Sequence, residues 1–512
     1  MNKSNPTKSE GAKPCVTRYY VPMSERPKPV IIQGGMGAAV SDWRLAKTVS
    51  LAGQLGVVSG TALDVILTRR LQMGDPGGHI RRALAAFPLP EISQPVLDHY
   101  FVEGGKPSDT PFKSKPMLAQ KLSRRMQDLL VLGNFVEVYL AKEGHDGVVG
   151  INLLEKIQSP TLPSLYGAML ADVDYVLMGA GIPRAIPGIL DQLAKHEPVS
   201  MKLDVHGATP DDVFEMTFDP GFYELKSTSN LKRPDFLAIV SFATLANVLA
   251  KKASGKVNGF VVEGPTAGGH NAPPRGKLQL TADGQPIYSE RDVPDLEAIK
   301  KLGLPFWLAG GYAHPSRIVE ALAFGAAGVQ IGTTFAFCDE SGLDAQIKAQ
   351  TVEMIRQGDA TVFTDPKASP TGFPFKVVQL PESLSNADEF ENRQRICDLG
   401  YLRHGYKKDD GSLGWRCPAE PEKDYVAKGG CHEETQGRKC VCNALMANIT
   451  LGQTQSSGEN EKPLVTAGDD FSTIKHILDQ GKVSYNVDDV LTYLLSEMSP
   501  KHHLVKKTVT PC

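Results

Sequence analysis

The chain has 512 residues, longer than one ordinary domain, yet an α/β barrel can take up ~250 residues by itself and more with insertions. Hydrophobic content of 41% and charged content of 22% are those of a globular protein with a sizeable core and exclude wholesale disorder. A formal charge of -3 gives no electrostatic ground for a nucleic acid or an anionic membrane as partner, and the basic pairs Lys407-Lys408 and Lys506-Lys507 read as solvated surface. The N-terminal MNKSNPTKSEGAKPC lacks the apolar core of a signal peptide, and the longest uncharged run, Ala321 to Cys338, is broken by Gly325, Gly328, Gln330 and Gly332. No membrane span is expected, the location is expected to be cytoplasmic, and the eight cysteines are read as thiols of a reducing compartment.

From about residue 29 to residue 335, short apolar runs bounded by glycine predict strands at Val30-Ile32, Gly56-Val58, Gly147-Ile151, Tyr175-Met178, Phe236-Val240, Gly259-Val262, Phe306-Leu308 and Gly328-Ile331. None shows sustained polar alternation, as expected of parallel strands buried on both faces. Helical patterns at Trp43-Gln54, Ile186-Lys195, Phe242-Lys252 and Pro315-Phe324 separate them. A doubly wound sheet gives the same alternation, but it concentrates ligand loops near a switch point. Here glycine or small polar residues follow nearly every strand, as in GGMG after Ile32, SGT after Val58 and AGG after Leu308. The prediction is therefore an α/β fold, a (β/α)8 barrel with its loops around one mouth.

Three additions surround that barrel. Val199-Val205, with TFDPGF at Thr217-Phe222, predicts a small hairpin before the fifth barrel strand. A helical insertion over about residues 61–145, after strand 2, has the length of a lid. The division is an N-terminal segment 1–27, a barrel 28–357 and a C-terminal extension 358–512. The extension contains a Cys-rich segment 397–442, a polar linker Gly452-Lys462 and a last helical stretch near Val487-Met498.

The chemistry-bearing residues fall in the loops. LAGGYAHPSR places Gly310-Gly311 between a strand and a helix, and the following strand ends in QIGTTF, so Gly310, Gly311, Gln330, Gly332 and Thr333 form a phosphate cradle. QGGMG at Gln33-Gly37 lets backbone approach a flat group, with Gln33 offering a donor and acceptors. In EGPTAGGHNAPPRG, Glu263-Gly276, Gly268 and Gly269 allow a ligand close to the backbone, and His270 can move a proton near neutral pH. Glu263 reads equally as a ligand contact and as a group that orients the loop.

Together IIQGGMG at Ile31-Gly37, GINLL at Gly150-Leu154, EGPTAGGH, PFWLAGG at Pro305-Gly311 and GVQIGTTF at Gly328-Phe335 resemble the nitronate monooxygenase family, formerly 2-nitropropane dioxygenases, and the related flavin-dependent enoyl-acyl carrier protein reductases. The resemblance covers about residues 28–345. It implies an FMN-binding TIM barrel, with Gln33, Gly34, Gly35 and Met36 along the isoalloxazine, Asn152 near its polar edge and the cradle residues around the phosphate. It implies His270 facing a small-molecule substrate, and oxidation of an alkyl nitronate by FMN and O2 to a carbonyl compound and nitrite. The rival implied activity is enoyl-acyl reduction with NAD(P)H; a third reading is a flavin-binding interaction protein without catalysis. Three departures bear on the substrate pocket: GPT between Glu263 and Ala267, the insertion 61–145, and everything after about Gln357.

Five cysteines lie between Cys397 and Cys442. Cys397, Cys417, Cys440 and Cys442 are candidate ligands of a structural zinc or an iron-sulfur cluster, although their spacing is not the paired CxxC form, and buried thiols are the alternative. Cys338 reads as a packing residue near the mouth.

Overall fold

The computed structural model describes residues 27–225, 229–455 and 457–498. The expected N-terminal segment therefore lies almost wholly outside the described residues.

Eight parallel strands close into a barrel: β1 (Ile31–Gln33), β2 (Leu55–Ser59), β3 (Val149–Leu154), β4 (Tyr175–Gly179), β5 (Asp235–Val240), β6 (Gly259–Glu263), β7 (Phe306–Ala309) and β8 (Gly328–Ile331). Each pairs with its sequence neighbour, and β1 closes on β8 with Ile31 opposite Val329. The strands are short and apolar because both faces are covered: Ile32, Leu55, Val57, Leu177, Leu237, Val261 and Trp307 fill the interior, while helices cover the outside. Trp307 donates its indole N–H to the Pro29 carbonyl at 2.8 Å, so the one polar atom of that plug is satisfied. All eight strands stand where the sequence places them, within three residues at every end, the third running on to Leu154 where Ile151 was expected. The helix predicted over Trp43-Gln54 runs over Trp43–Leu51, capped by Asp42.

The insertion does not form a lid. Leu63–Gln72 and Arg124–Lys142 pack with Trp43–Leu51 and Thr161–Leu170 on the outside of the barrel. Gly133 and Gly167 let these helices approach, since an added Cβ would stand 2.6 Å from the Leu63 carbonyl oxygen and 2.2 Å from that of Val131. Nothing in the insertion beyond Thr61 reaches the mouth. Its apolar faces are consumed by the outer helical layer, and the covering role falls to the C-terminal extension.

The predicted hairpin is present, with Val199 opposite Phe218. The extension is more regular than its sequence announces: Val362–Asp365 pairs antiparallel with Phe375–Val378, and His404–Lys407 pairs with Leu413–Arg416 and with Val205–His206 of the barrel region. The stretch read as a linker is packed. Glu461 is buried in a bidentate pair with Arg393, both N···O distances 2.7 Å, so its charge is spent inside the fold. Tyr401 and Lys115 meet on the buried Asp64, joining extension to insertion. Among the described residues no helix is long and apolar enough to cross a membrane.

Candidate active site

The C-terminal ends of the strands surround a cavity of about 220 Å3. β1 contributes Gly34, Gly35 and Met36; β3 contributes Asn152; β6 and its loop contribute Glu263, Gly268, Gly269 and His270; β7 contributes Gly310 and Gly311; β8 contributes Gln330, Gly332 and Thr333. Parallel strands point every such loop to one end, so residues 300 positions apart in the chain meet there.

Gln33 is the exception among the sequence-predicted residues. It is wholly buried, with its side-chain Oε1 accepting from the Val57 amide at 3.1 Å and its Nε2 donating to the Val57 carbonyl at 3.2 Å. Its polarity is satisfied by tying β1 to β2 inside the barrel, and it does not line the cavity. Cys338 is likewise buried beside the mouth, bonded through its thiol to the Phe335 carbonyl at 3.1 Å.

The cavity floor is shaped for close approach. An added Cβ on Gly35 would stand 2.4 Å from the Asn152 Cβ, and one on Gly34 3.3 Å from the Gln330 side chain. Gly310 and Gly311 adopt φ of +87° and +74°, which side chains disfavour, and a Cβ on Gly310 would come within 2.9 Å of the Ala267 amide and the Thr266 hydroxyl. The Gln330 Oε1 atom is buried at the same place without a hydrogen-bond partner among the described residues. An orphaned amide oxygen beside a glycine-lined floor fits a flat, donor-bearing ligand with a phosphate. FMN has those parts, and the residues present fit it.

His270 is held from the far side. Its Nε2 stands 2.7 Å from the Ser369 hydroxyl, which is 2.8 Å from the Thr371 hydroxyl, and its ring lies 4.4 Å from that of Phe375. Backbone pairing fixes the loop, with the Lys376 amide donating to Gly269 at 3.0 Å and the Asn271 amide to Pro374 at 2.9 Å. Burial away from any counter-charge pushes the His270 imidazole down to about 4 and the Glu263 carboxyl up to about 7. Burial thus favours an uncharged imidazole and the protonated form of the carboxyl group. No lysine or arginine lines the cavity among the described residues.

Sequence reasoning missed the wall opposite the barrel. Phe375, Leu445, Thr466, Ala467, Gly468 and Asp470 of the extension complete the lining. The Gly468 amide donates to the Thr333 hydroxyl at 2.8 Å, and an added Cβ on Gly268 would stand 2.7 Å from that amide, so glycine on each side is what lets the two segments meet. The sequence signal was small: TAGDD at Thr466-Asp470 imitates the TAGGH of the barrel loop without any periodicity around it.

A second chamber, about 280 Å3, shares Ala180, Ile239, Glu263 and His270 with the first. Beyond them its lining is largely apolar, including Val240, Phe242, Leu245 and Phe373, and exposed Ile182 and Arg275 stand at its rim.

Residues 187–379 match the family model of nitronate monooxygenase. A probable nitronate monooxygenase of Staphylococcus saprophyticus is 27% identical over 149 residues, covering 29% of this chain and 40% of that protein. The chain thus aligns with about two fifths of that relative's length. Among solved structures, FabK from Thermotoga maritima has a TM-score of 0.45 at 16% identity, covering 93% of this chain and 94% of that one. Nitroalkane oxidase from Streptomyces ansochromogenes has a TM-score of 0.43 at 14% identity, covering 92% and 95%. The matched residues hold β5 to β8 with His270 and the glycines after β7, so it is over this half of the barrel that the chain is similar to the nitronate monooxygenase family.

Proposed function

We propose that the protein is an FMN-dependent oxidoreductase that reduces the carbon-carbon double bond of an enoyl thioester with NAD(P)H. The observation that carries this reading is the apolar chamber opening from His270 and Glu263, which offers an acyl chain a place that a small nitroalkane does not need.

Gly34, Gly35, Met36 and Asn152 would hold the flavin ring, and Gly310, Gly311, Gln330, Gly332 and Thr333 its phosphate end. FMN bound there would supply hydride transfer between NAD(P)H and an enoyl double bond. The remaining work belongs to the chain. Nε2 of His270 is engaged by the Ser369 hydroxyl at 2.7 Å, and with the ring proton on Nδ1 the neutral imidazole would hydrogen-bond the thioester carbonyl and polarise it without giving up the proton. Glu263, protonated in part near neutrality, gives a proton to the α-carbon, so that hydride and proton together saturate the double bond. The chamber walls exclude water from the acyl chain.

The test is a chain-length series. With thioesters from about four to about ten carbons, kcat/KM is expected to rise about tenfold per fully buried pair of methylenes, and Leu245→Trp should abolish the rise while sparing the shortest substrate. A flat series in the unaltered enzyme would remove the acyl reading.

The second reading is oxidation of an alkyl nitronate by O2 to a carbonyl compound and nitrite. The family match across His270 and the cradle favours it, and nitrite release from propyl-2-nitronate with oxygen uptake would establish it.

A further inference from the structure

The Cys-rich segment folds back on itself so that three distant stretches supply four thiols to one place. Cys397 follows the helix Ala387–Asn392, Cys417 follows the strand Leu413–Arg416, and Cys440 and Cys442 stand at the start of the helix Val441–Ala447. All four line one enclosed cavity of about 10 Å3, together with Arg403, Glu420 and Asn443. That volume is room for a single water-sized sphere. The fifth cysteine of the segment, Cys431, is exposed and lies outside it.

The Asn443 side-chain amide stands 3.7 Å from the Cys440 sulfur and also donates to Asp398. Thiol sulfur is a weak acceptor, whereas a thiolate bound to a metal is a good one, and donors aimed at ligand sulfurs are the ordinary outer shell of such sites.

We propose that Cys397, Cys417, Cys440 and Cys442 form a four-thiolate site for one thiophilic divalent ion of the zinc type. Among the described residues no three such side chains already stand in ligating geometry, so the ion would draw the sulfurs inward over the small cavity. The cavity favours a single ion over an iron-sulfur cluster, which needs space for its inorganic sulfides as well.

The site has a structural consequence for the barrel. Directly before Cys440, the Lys439 amide donates to the Ala368 carbonyl at 2.9 Å, and Arg438 donates to the carbonyls of Lys367 at 2.8 Å and Ser369 at 2.5 Å. Ser369 is the residue that meets His270. A metal clasp at Cys440 would fix the strap that holds the imidazole.

The test uses full-length protein produced with zinc in the medium and purified without a metal-affinity step. Elemental analysis is expected to give about one zinc per chain, with no acid-labile sulfide. Titration of the unaltered protein with an organomercurial should release that zinc, and Cys440→Ser/Cys442→Ser should bring it below about 0.2 equivalents, while Cys431→Ser keeps it. Should the double variant fail to fold, content and mercurial release from the unaltered protein decide the matter. Less than about 0.2 equivalents in the unaltered protein, iron with matching sulfide, or a disulfide among the four cysteines would each overturn the assignment.

Discussion

Ser369 Oγ stands 2.7 Å from Nε2 of His270, although 99 positions separate them in the chain. The histidine belongs to a barrel loop and the serine to the extension, so the orientation of the imidazole depends on a segment outside the barrel. Ser369→Ala should keep FMN bound and lower turnover about tenfold, because the ring loses the partner that fixes its tautomer. His270→Ala should lower it further. Equal turnover in Ser369→Ala, measured at saturating substrate, would separate the extension from the chemistry.

The two titrating groups give opposite dependences on pH. Glu263, raised to about 7 in the folded protein from 4.5, holds its proton more tightly when folded, so it contributes stability at low pH that is lost as pH rises toward 7. His270, lowered to about 4 from 6.5, makes the unfolded chain bind more protons between those values, so its contribution is present above 6.5 and falls as pH drops toward 4. Glu263→Gln should therefore raise the denaturation midpoint at pH 8 relative to pH 5. If Glu263 is the proton donor, turnover of the unaltered enzyme should decline above pH 7 as it deprotonates, and the variant should lack that decline.

The glycines proposed to hold the phosphate are the most sterically defined part of the cavity. Gly310→Val sets a side chain at a φ of +87° and within 2.9 Å of the Ala267 amide. Strain of about 1–3 kcal/mol at such a position predicts flavin affinity reduced tenfold or more, read by fluorescence titration of the apoprotein. Unaltered affinity would place the phosphate elsewhere.

Asp64 ties insertion to extension. It is fully buried, 2.8 Å from Lys115 and in contact with the Tyr401 hydroxyl. Asp64→Ala leaves the Lys115 ammonium buried without its partner, so a loss of about 3–5 kcal/mol is expected in denaturant unfolding. A change below about 1 kcal/mol would show that the lysine escapes to water.

The barrel was legible because its physics is repetitive. Runs such as Phe260-Val261-Val262 are apolar on both faces, and the glycines after them mark the one end where loops carry ligands. Gln33 misled because a glutamine beside GGMG looks ligand-facing; whether its amide turns to the cavity or to the Val57 backbone is decided by barrel closure. The insertion looked like a lid because length carries no direction. Phe375 and Gly468 were not visible as site residues, since they reach the cavity through isolated backbone pairing and one Cβ-free contact, neither of which leaves a period in the sequence.

The central claim is that the cavity holds a flavin that takes electrons from NAD(P)H and gives them to an enoyl thioester. The most direct measurement is the absorbance of the flavin-loaded protein, mixed anaerobically with NADPH and then with a crotonyl thioester, and separately with propyl-2-nitronate. Bleaching by NADPH, recovery of the oxidised spectrum on adding the thioester, and no bleaching by nitronate are the predicted results. Bleaching by nitronate alone, with a spectrum indifferent to NADPH, would contradict the claim.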